Sequence, residues 1–175
     1  HHHEDPAIPR SRIVGVQGRL DMFGTEVIPL RKKDVEERTK VLIKAGVESI
    51  AIMFLFSHMN PAHEQLAKKI IRRINKTIPL VLSSEIAPTH KEYTRLASVV
   101  AQAYAGERAR IHFQKVEKTA HDHGFDKEVS TLLAHGGTVP ISTKRLYESY
   151  VSGPVGGGLG GHYIGEIIGS GNVVG

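Results

Sequence analysis

The chain has 175 residues, 40% of them hydrophobic, with a formal net charge of +5 and an isoelectric point near 9.5. That length holds one ordinary core, or one core with an appendage, and the lack of cysteine excludes disulfides, thiolate metal sites and a cysteine nucleophile. The basic residues are interleaved with acids, as in RKKDVEERTK and HEQLAKKIIRR, so they read as solvated helix faces and not as a nucleic-acid stripe.

The start, HHHEDPAIPR, is no signal peptide, and His1, His2 and His3 resemble an affinity-tag remnant. Residues 1–11 are therefore read as tag remnant or linker. Residues 12–20 and 26–30 flank DMFG and predict a β-hairpin. A helix is expected from Lys32 to Ala45, with Val35, Val41, Leu42 and Ala45 on its apolar face and Gly46 as its stop. The continuous apolar run ESIAIMFLF, residues 48–56, predicts a strand buried on both faces. Asn60 and Pro61 then open a long amphipathic helix as N-cap and first helical residue. PLVLSSEIAP, residues 79–88, predicts a second strand, and the strand–helix–strand order predicts a parallel, right-handed crossover.

A helical region follows from Tyr93 to about His123, closed by Gly124. On its first half Arg95, Ser98 and Gln102 form one polar face, while Leu96, Val99, Val100 and Ala103 fill the other. EVSTLLAHGG, residues 128–137, predicts a strand entering a glycine turn, and ISTKRLYESY, residues 141–150, a short helix. The alternation of elements points to an α/β fold with a mixed sheet and crossover helices. Residues 12–150 form the expected α/β domain fragment, and 151–175 a glycine-rich connecting helix with the start of a further lobe. The chain ends at NVVG, a few residues into what reads as a new strand.

Glycine recurs at Gly153, Gly157, Gly161, Gly165 and Gly169. A four-residue repeat follows one ridge of a helix, and glycine there costs about 1 kcal/mol per residue relative to alanine. A second backbone crossing at close range is the simplest compensation. GGGLGG also matches G-x-G-x-x-G, but no strand directly precedes it, which disfavours a dinucleotide site, and the chain ends before the acid expected about 20 residues on could appear. His162, Glu166 and the short apolar length argue against a membrane span. The histidines at 58, 63, 90, 112, 121, 123, 135 and 162 fall into no metal-ligand spacing, so no metal site is assigned.

Two segments carry candidate chemistry. Glu85, Glu92 and Arg95 gather at the end of a buried strand, where open α/β sheets place ligands. His135, Gly136 and Gly137 form a glycine turn whose backbone amides can face an anion or a carbonyl oxygen.

IPRSRIVGVQGRLDMFGTEVIPL, GVESIAIMFLFSHMNPAHE, SSEIAPTHKEYTR, AHGG and SGPVGG, in this order, resemble the hydantoinase A / 5-oxoprolinase family, which includes β-type subunits of acetone and acetophenone carboxylases. The resemblance implies an internal fragment of an actin-like (ribonuclease H-like) ATPase fold. Its small-residue helix, with Gly153, Gly157, Gly161 and Gly165, would cross a partner helix between two lobes. It also implies a cytoplasmic ATP-dependent enzyme, with ATP and Mg²⁺ as cofactors of the parent protein. Such an enzyme phosphorylates a carbonyl or cyclic amide for hydrolytic ring opening, or a ketone for carboxylation; a non-catalytic assembly module is the remaining alternative. A hydantoinase B-like companion subunit and a homo-oligomer are the implied partners, with no nucleic acid or membrane among them. Neither phosphate-binding D-x-G-G motif is present, so the fragment alone is expected to be inactive and to carry no bound cofactor. Ser98-Val99 and Gln102-Ala103-Tyr104 replace a common Thr-Thr and Asn-Ala-Tyr, and His135 stands where asparagine is frequent. The substrate-side candidates carried forward are Glu85, Glu92, Arg95, His135, Gly136 and Gly137.

Overall fold

A computed structural model of the chain describes residues 8–143 and 146–172. The leading His1–His3 and the strand start expected at Val173–Gly175 lie outside the described residues. Two compact units divide within one long helix, one running to Tyr104 and the other from Ala105. Each is mixed α/β, built on two-stranded sheets.

The first unit opens with the expected hairpin, β1 (Arg19–Leu20) paired antiparallel with β2 (Glu26–Ile28), with a register irregularity after Arg19. Asp21 shapes its turn by accepting from the amides of Phe23 and Thr25, at 2.9 and 2.8 Å. The helix α1 (Lys32–Lys44) follows, and Gly46 closes it at φ +72°. Its buried line is Val35, Thr39 and Leu42, spaced as one helical stripe. Val41 is half exposed and Ala45 exposed, correcting the face read from sequence: Val41 lies six residues, or about 240°, from Val35.

β3 (Ile50–Ile52) and β4 (Leu80–Leu82) pair parallel, linked by α2 (Ala62–Ile74), as the strand–helix–strand order required. Both strands are far shorter than the apolar runs that predicted them. The first gives way after Ile52 to a hydrogen-bonded turn at 55–59, and the second passes directly into the helical turn α3 (Ser83–Ile86). Asn60 serves α2 through its side chain, whose Oδ1 accepts from the Ala62 amide at 3.0 Å, while Pro61 is the capping residue. Leu30, Val35, Leu42, Ile50, Ile52, Ala67, Ile70, Ile71, Ile78 and Leu82 make one continuous core under these elements.

The long helix α4 (Glu92–Asp122) carries the unit boundary and ends before Gly124, at φ +86°. Its buried line near the start joins Arg95 to Val99, so the arginine does not share an outer polar face with Ser98 and Gln102; Leu96, expected inside, is exposed. In the second unit β5 (Ser130–Leu132) and β6 (Thr138–Pro140) form an antiparallel hairpin. The sequence reading had only its first strand. Among the described residues of the expected helix 141–150, only Leu146–Ser149 is helical, as a 3-10 turn. The last element is α5 (Ser152–Ile168), closed by Gly169 in the left-handed region at φ +68°.

Candidate functional site

The two segments leaving the carboxyl ends of β3 and β4 meet around buried polar groups. Glu64, in the first turn of α2, is fully buried. Its Oε1 accepts from the Phe54 amide at 3.2 Å and from the Ser83 hydroxyl; its Oε2 accepts from the Ser84 amide at 2.9 Å and the Ser84 hydroxyl at 2.7 Å. Ser83 Oγ also lies 3.0 Å from Ser57 Oγ. One carboxylate thus replaces the ladder partners both strands lose at their ends. The helix dipole at the start of α2 also favours a carboxylate there, but it is a smaller part of the role of Glu64 than these four bonds.

Arg95 holds the same segments from the other side. It is 1% exposed, and its Nη2 donates to Phe54 O at 3.0 Å while its Nη1 donates to Thr89 O at 2.9 Å. The Nη1 group also lies 3.0 Å from His58 Nδ1, and His58 Nε2 lies 3.3 Å from His90 Nδ1. The two imidazoles meet edge to face, with ring centroids 5.3 Å apart. Among the described residues, Arg95 Nε is one of two buried side-chain atoms without a hydrogen-bond partner. Burial lowers the His58 pKa, the charges of Arg95 and His90 lower it further, and Glu92 opposes them.

Phe56 delivers His58 to this position at a backbone cost. Its φ is +58°, and it is the only non-glycine residue with positive φ among those described. The amides of Met59 and Asn60 both donate to its carbonyl, at 2.9 and 3.2 Å. Its ring lies 6.3 Å from that of His58, and the Arg19 guanidinium sits 5.7 Å from its centroid. Beside Phe54, a cavity of about 220 Å³ opens between Met53–Leu55 and the chain from Val14 to Leu20.

Among the candidates read from sequence, Arg95 and Glu92 bear on one imidazole. Glu85, on α3, turns to α2 and pairs with Lys68 Nζ at 3.0 Å and Gln65 Nε2 at 2.9 Å. His135, Gly136 and Gly137 belong to the second unit, at the turn of its hairpin. There the Gly136 amide donates to Leu133 O at 2.9 Å, and the Gly137 amide lies 3.3 Å from His135 Nδ1. The Leu133 amide donates to Gly137 O at 2.7 Å, closing the turn, while the Ala134 amide donates out of it to Glu148 O at 2.6 Å. On α5, Gly153 and Gly157 face open space, Gly165 is buried, and a groove of about 480 Å³ runs along Gly157, Gly161 and Gly165. His58, His90 and Glu64 escaped the sequence reading as site residues. His58 and His90 stand 32 residues apart, and no local spacing signals their contact. Among the described residues no three histidine, aspartate or glutamate side chains are placed to hold a metal, and no helix is long and apolar enough to cross a membrane.

Comparison with known proteins bears on these same segments. The model of the hydantoinase/oxoprolinase N-terminal region matches residues 1–75, and that of hydantoinase/oxoprolinase matches residues 95–175. The chain is 34% identical to the acetone carboxylase beta subunit of Xanthobacter autotrophicus, over 99% of its own length and 25% of that protein. It is 32% identical to the 5-oxoprolinase of Saccharomyces cerevisiae, over 90% of its length and 12% of that protein. The nucleotide-free structure of acetone carboxylase superposes with a TM-score of 0.90 at 34% identity, covering 97% of this chain and 24% of that one. The chain thus spans about a quarter, or less, of the proteins it matches. Matched by two models of one family on either side of residues 76–94, the chain belongs to the hydantoinase/oxoprolinase family.

Proposed function

We propose that the chain is part of an ATP-dependent enzyme subunit that activates a carbonyl oxygen of a small molecule. The observation that carries this reading is the 0.90 TM-score to acetone carboxylase at 34% identity, which spans the Glu64 and Arg95 networks and nearly all the rest of the chain. Activation by phosphorylation would serve either hydrolytic ring opening of a cyclic amide or carboxylation of a ketone. The ketone reading is favoured by that structural likeness and by the longer match to the carboxylase subunit, 99% of the chain against 90% for the oxoprolinase.

The described residues do not themselves fit ATP and Mg²⁺. Among the described residues no three histidine, aspartate or glutamate side chains are placed to hold a metal, and the amides of Leu133, Gly136 and Gly137 are engaged within their turn while that of Ala134 donates to Glu148 O. The nucleotide therefore falls to other parts of the parent protein, in an actin-like arrangement in which α5 crosses a second helix along its open glycine face. The residues of this chain supply the substrate side, with Arg95, Glu92 and Glu85 at the strand exits and the His135–Gly137 turn in the second unit. A companion subunit is in keeping with the name of the acetone carboxylase beta subunit; homo-oligomerisation and a cytoplasmic site complete the proposal. The full-length protein should hydrolyse ATP faster in the presence of acetone or acetophenone with bicarbonate than with hydantoin or 5-oxoproline. Turnover with the cyclic amides alone would reverse the ranking, and no ATP turnover with any of them would overturn the reading.

A further inference from the structure

We propose that Arg95, His58 and His90 form a one-directional hydrogen-bond relay that presents the Nε2–H of a neutral His90 as donor to a substrate carbonyl oxygen, outside the carboxyl ends of β3 and β4.

The direction follows from donor inventory. A guanidinium has five N–H donors and no acceptor, so the 3.0 Å contact from Arg95 Nη1 requires His58 Nδ1 to be an unprotonated acceptor. His58 is then neutral with its proton on Nε2, and that nitrogen faces His90 Nδ1 at 3.3 Å. The His90 Nδ1 atom must accept, which leaves the His90 proton on Nε2, on an exposed ring. A proton added to His58 Nδ1 would oppose Arg95. One added to His90 Nδ1 would oppose the Nε2–H of His58. The charged and titratable groups facing His58 are Arg95 and Glu92 from α4 and His90 from the segment after β4, and only Glu92 favours the imidazolium.

The surroundings are built to keep this direction. Arg95 is anchored on a carbonyl from each strand exit, Phe54 O and Thr89 O, so its fork cannot swing away from His58 without breaking both. Phe56 keeps an unfavourable left-handed conformation two residues before His58, in a turn closed by two hydrogen bonds to its own carbonyl. Such strain belongs where a side chain must be aimed. An imidazole whose Nδ1 is taken up as an acceptor donates through its Nε2–H to an oxygen that gains negative charge. In this assignment His90 is the residue that touches substrate, and His58 and Arg95 are positioning residues.

The identity of the acceptor oxygen rests on the proposed function; the relay does not, and the experiment separates them. Ring-nitrogen NMR of the histidine-labelled full-length protein, assigned with single histidine-to-glutamine variants, should show His58 and His90 as Nε2–H tautomers at pH 7. Arg95→Lys, which keeps the charge but loses the fork, should return His58 to a tautomer mixture. A protonated Nδ1 on His58, or a mixture in the unsubstituted chain, overturns the relay. In the full-length protein His90→Ala should lower kcat with acetone and bicarbonate about a hundredfold, and His58→Phe about tenfold, each with little change in KM. His58→Asn, checked for an unchanged melting temperature, serves if the phenylalanine disturbs folding. Unchanged kcat in His90→Ala overturns the donor assignment. Absent turnover in the unsubstituted protein, with the tautomers as stated, overturns the proposed function instead.

Discussion

Glu64 shows how much one side chain can decide. Each of its oxygens faces one fixed backbone donor, the Phe54 amide at Oε1 and the Ser84 amide at Oε2, beside hydroxyls free to rotate. A glutamine must therefore set its own NH₂ against one of those amides, whichever way it is turned. Glu64→Gln should cost about 2 kcal/mol, seen as a lower urea midpoint at constant m value. His58 supplies a pH dependence of known sign. Its folded pKa lies below the ordinary 6.5, so the unfolded chain takes up a proton that the folded chain refuses as pH falls through that value. Stability should decline between pH 7 and pH 5, and His58→Phe should decline less steeply over the same range. Equal slopes for the two proteins would place the effect elsewhere among the histidines.

Elements were legible where a local stop or start signal exists. Gly46, Gly124 and the Asn60-Pro61 pair bound helices in sequence and in structure alike, because each acts through its own backbone or nearest neighbours. The two apolar runs misled for a physical reason. The Phe54 amide, which would extend β3, is taken by a carboxylate ten residues away, and the chain then reverses at Phe56. Ser83 and Ser84 likewise leave the β4 strand for the same carboxylate. Only tertiary contact reveals that competition, and the pairing of His58 with His90 is hidden by the same distance in sequence. Two glycines separate conformation from space. Gly46→Ala meets no atom within 4 Å, so its cost is that of the left-handed backbone, about 1 kcal/mol. Gly18 has no such φ, but an added methyl would lie 3.3 Å from both Leu30 Cα and His63 Nδ1. Gly18→Ala should cost about 1–3 kcal/mol by overpacking. Thermal melts of the two variants test both figures.

For the whole molecule, α5 is the element whose sequence and surroundings disagree most. A helix with glycine at 153, 157, 161 and 165 is weak by propensity, yet a methyl at Gly153 or Gly157 would meet nothing within 4 Å. Leu159, Tyr163, Ile164 and Ile167 are also 48–66% exposed on the same helix. Within the described residues, then, Gly153 and Gly157 bring no packing gain, and Gly157→Ala should raise the stability of the 175-residue chain by about 0.5–1 kcal/mol. The close crossing proposed for the parent protein makes the opposite demand. There the added methyl would hold two backbones apart, so the same substitution should lower ATP turnover of the full-length protein while leaving the short chain more stable. Opposite signs in the two assays would identify the glycines as kept for a crossing. Unchanged turnover in the full-length protein would mean that no backbone passes over Gly157, and the actin-like placement of α5 would fall with it.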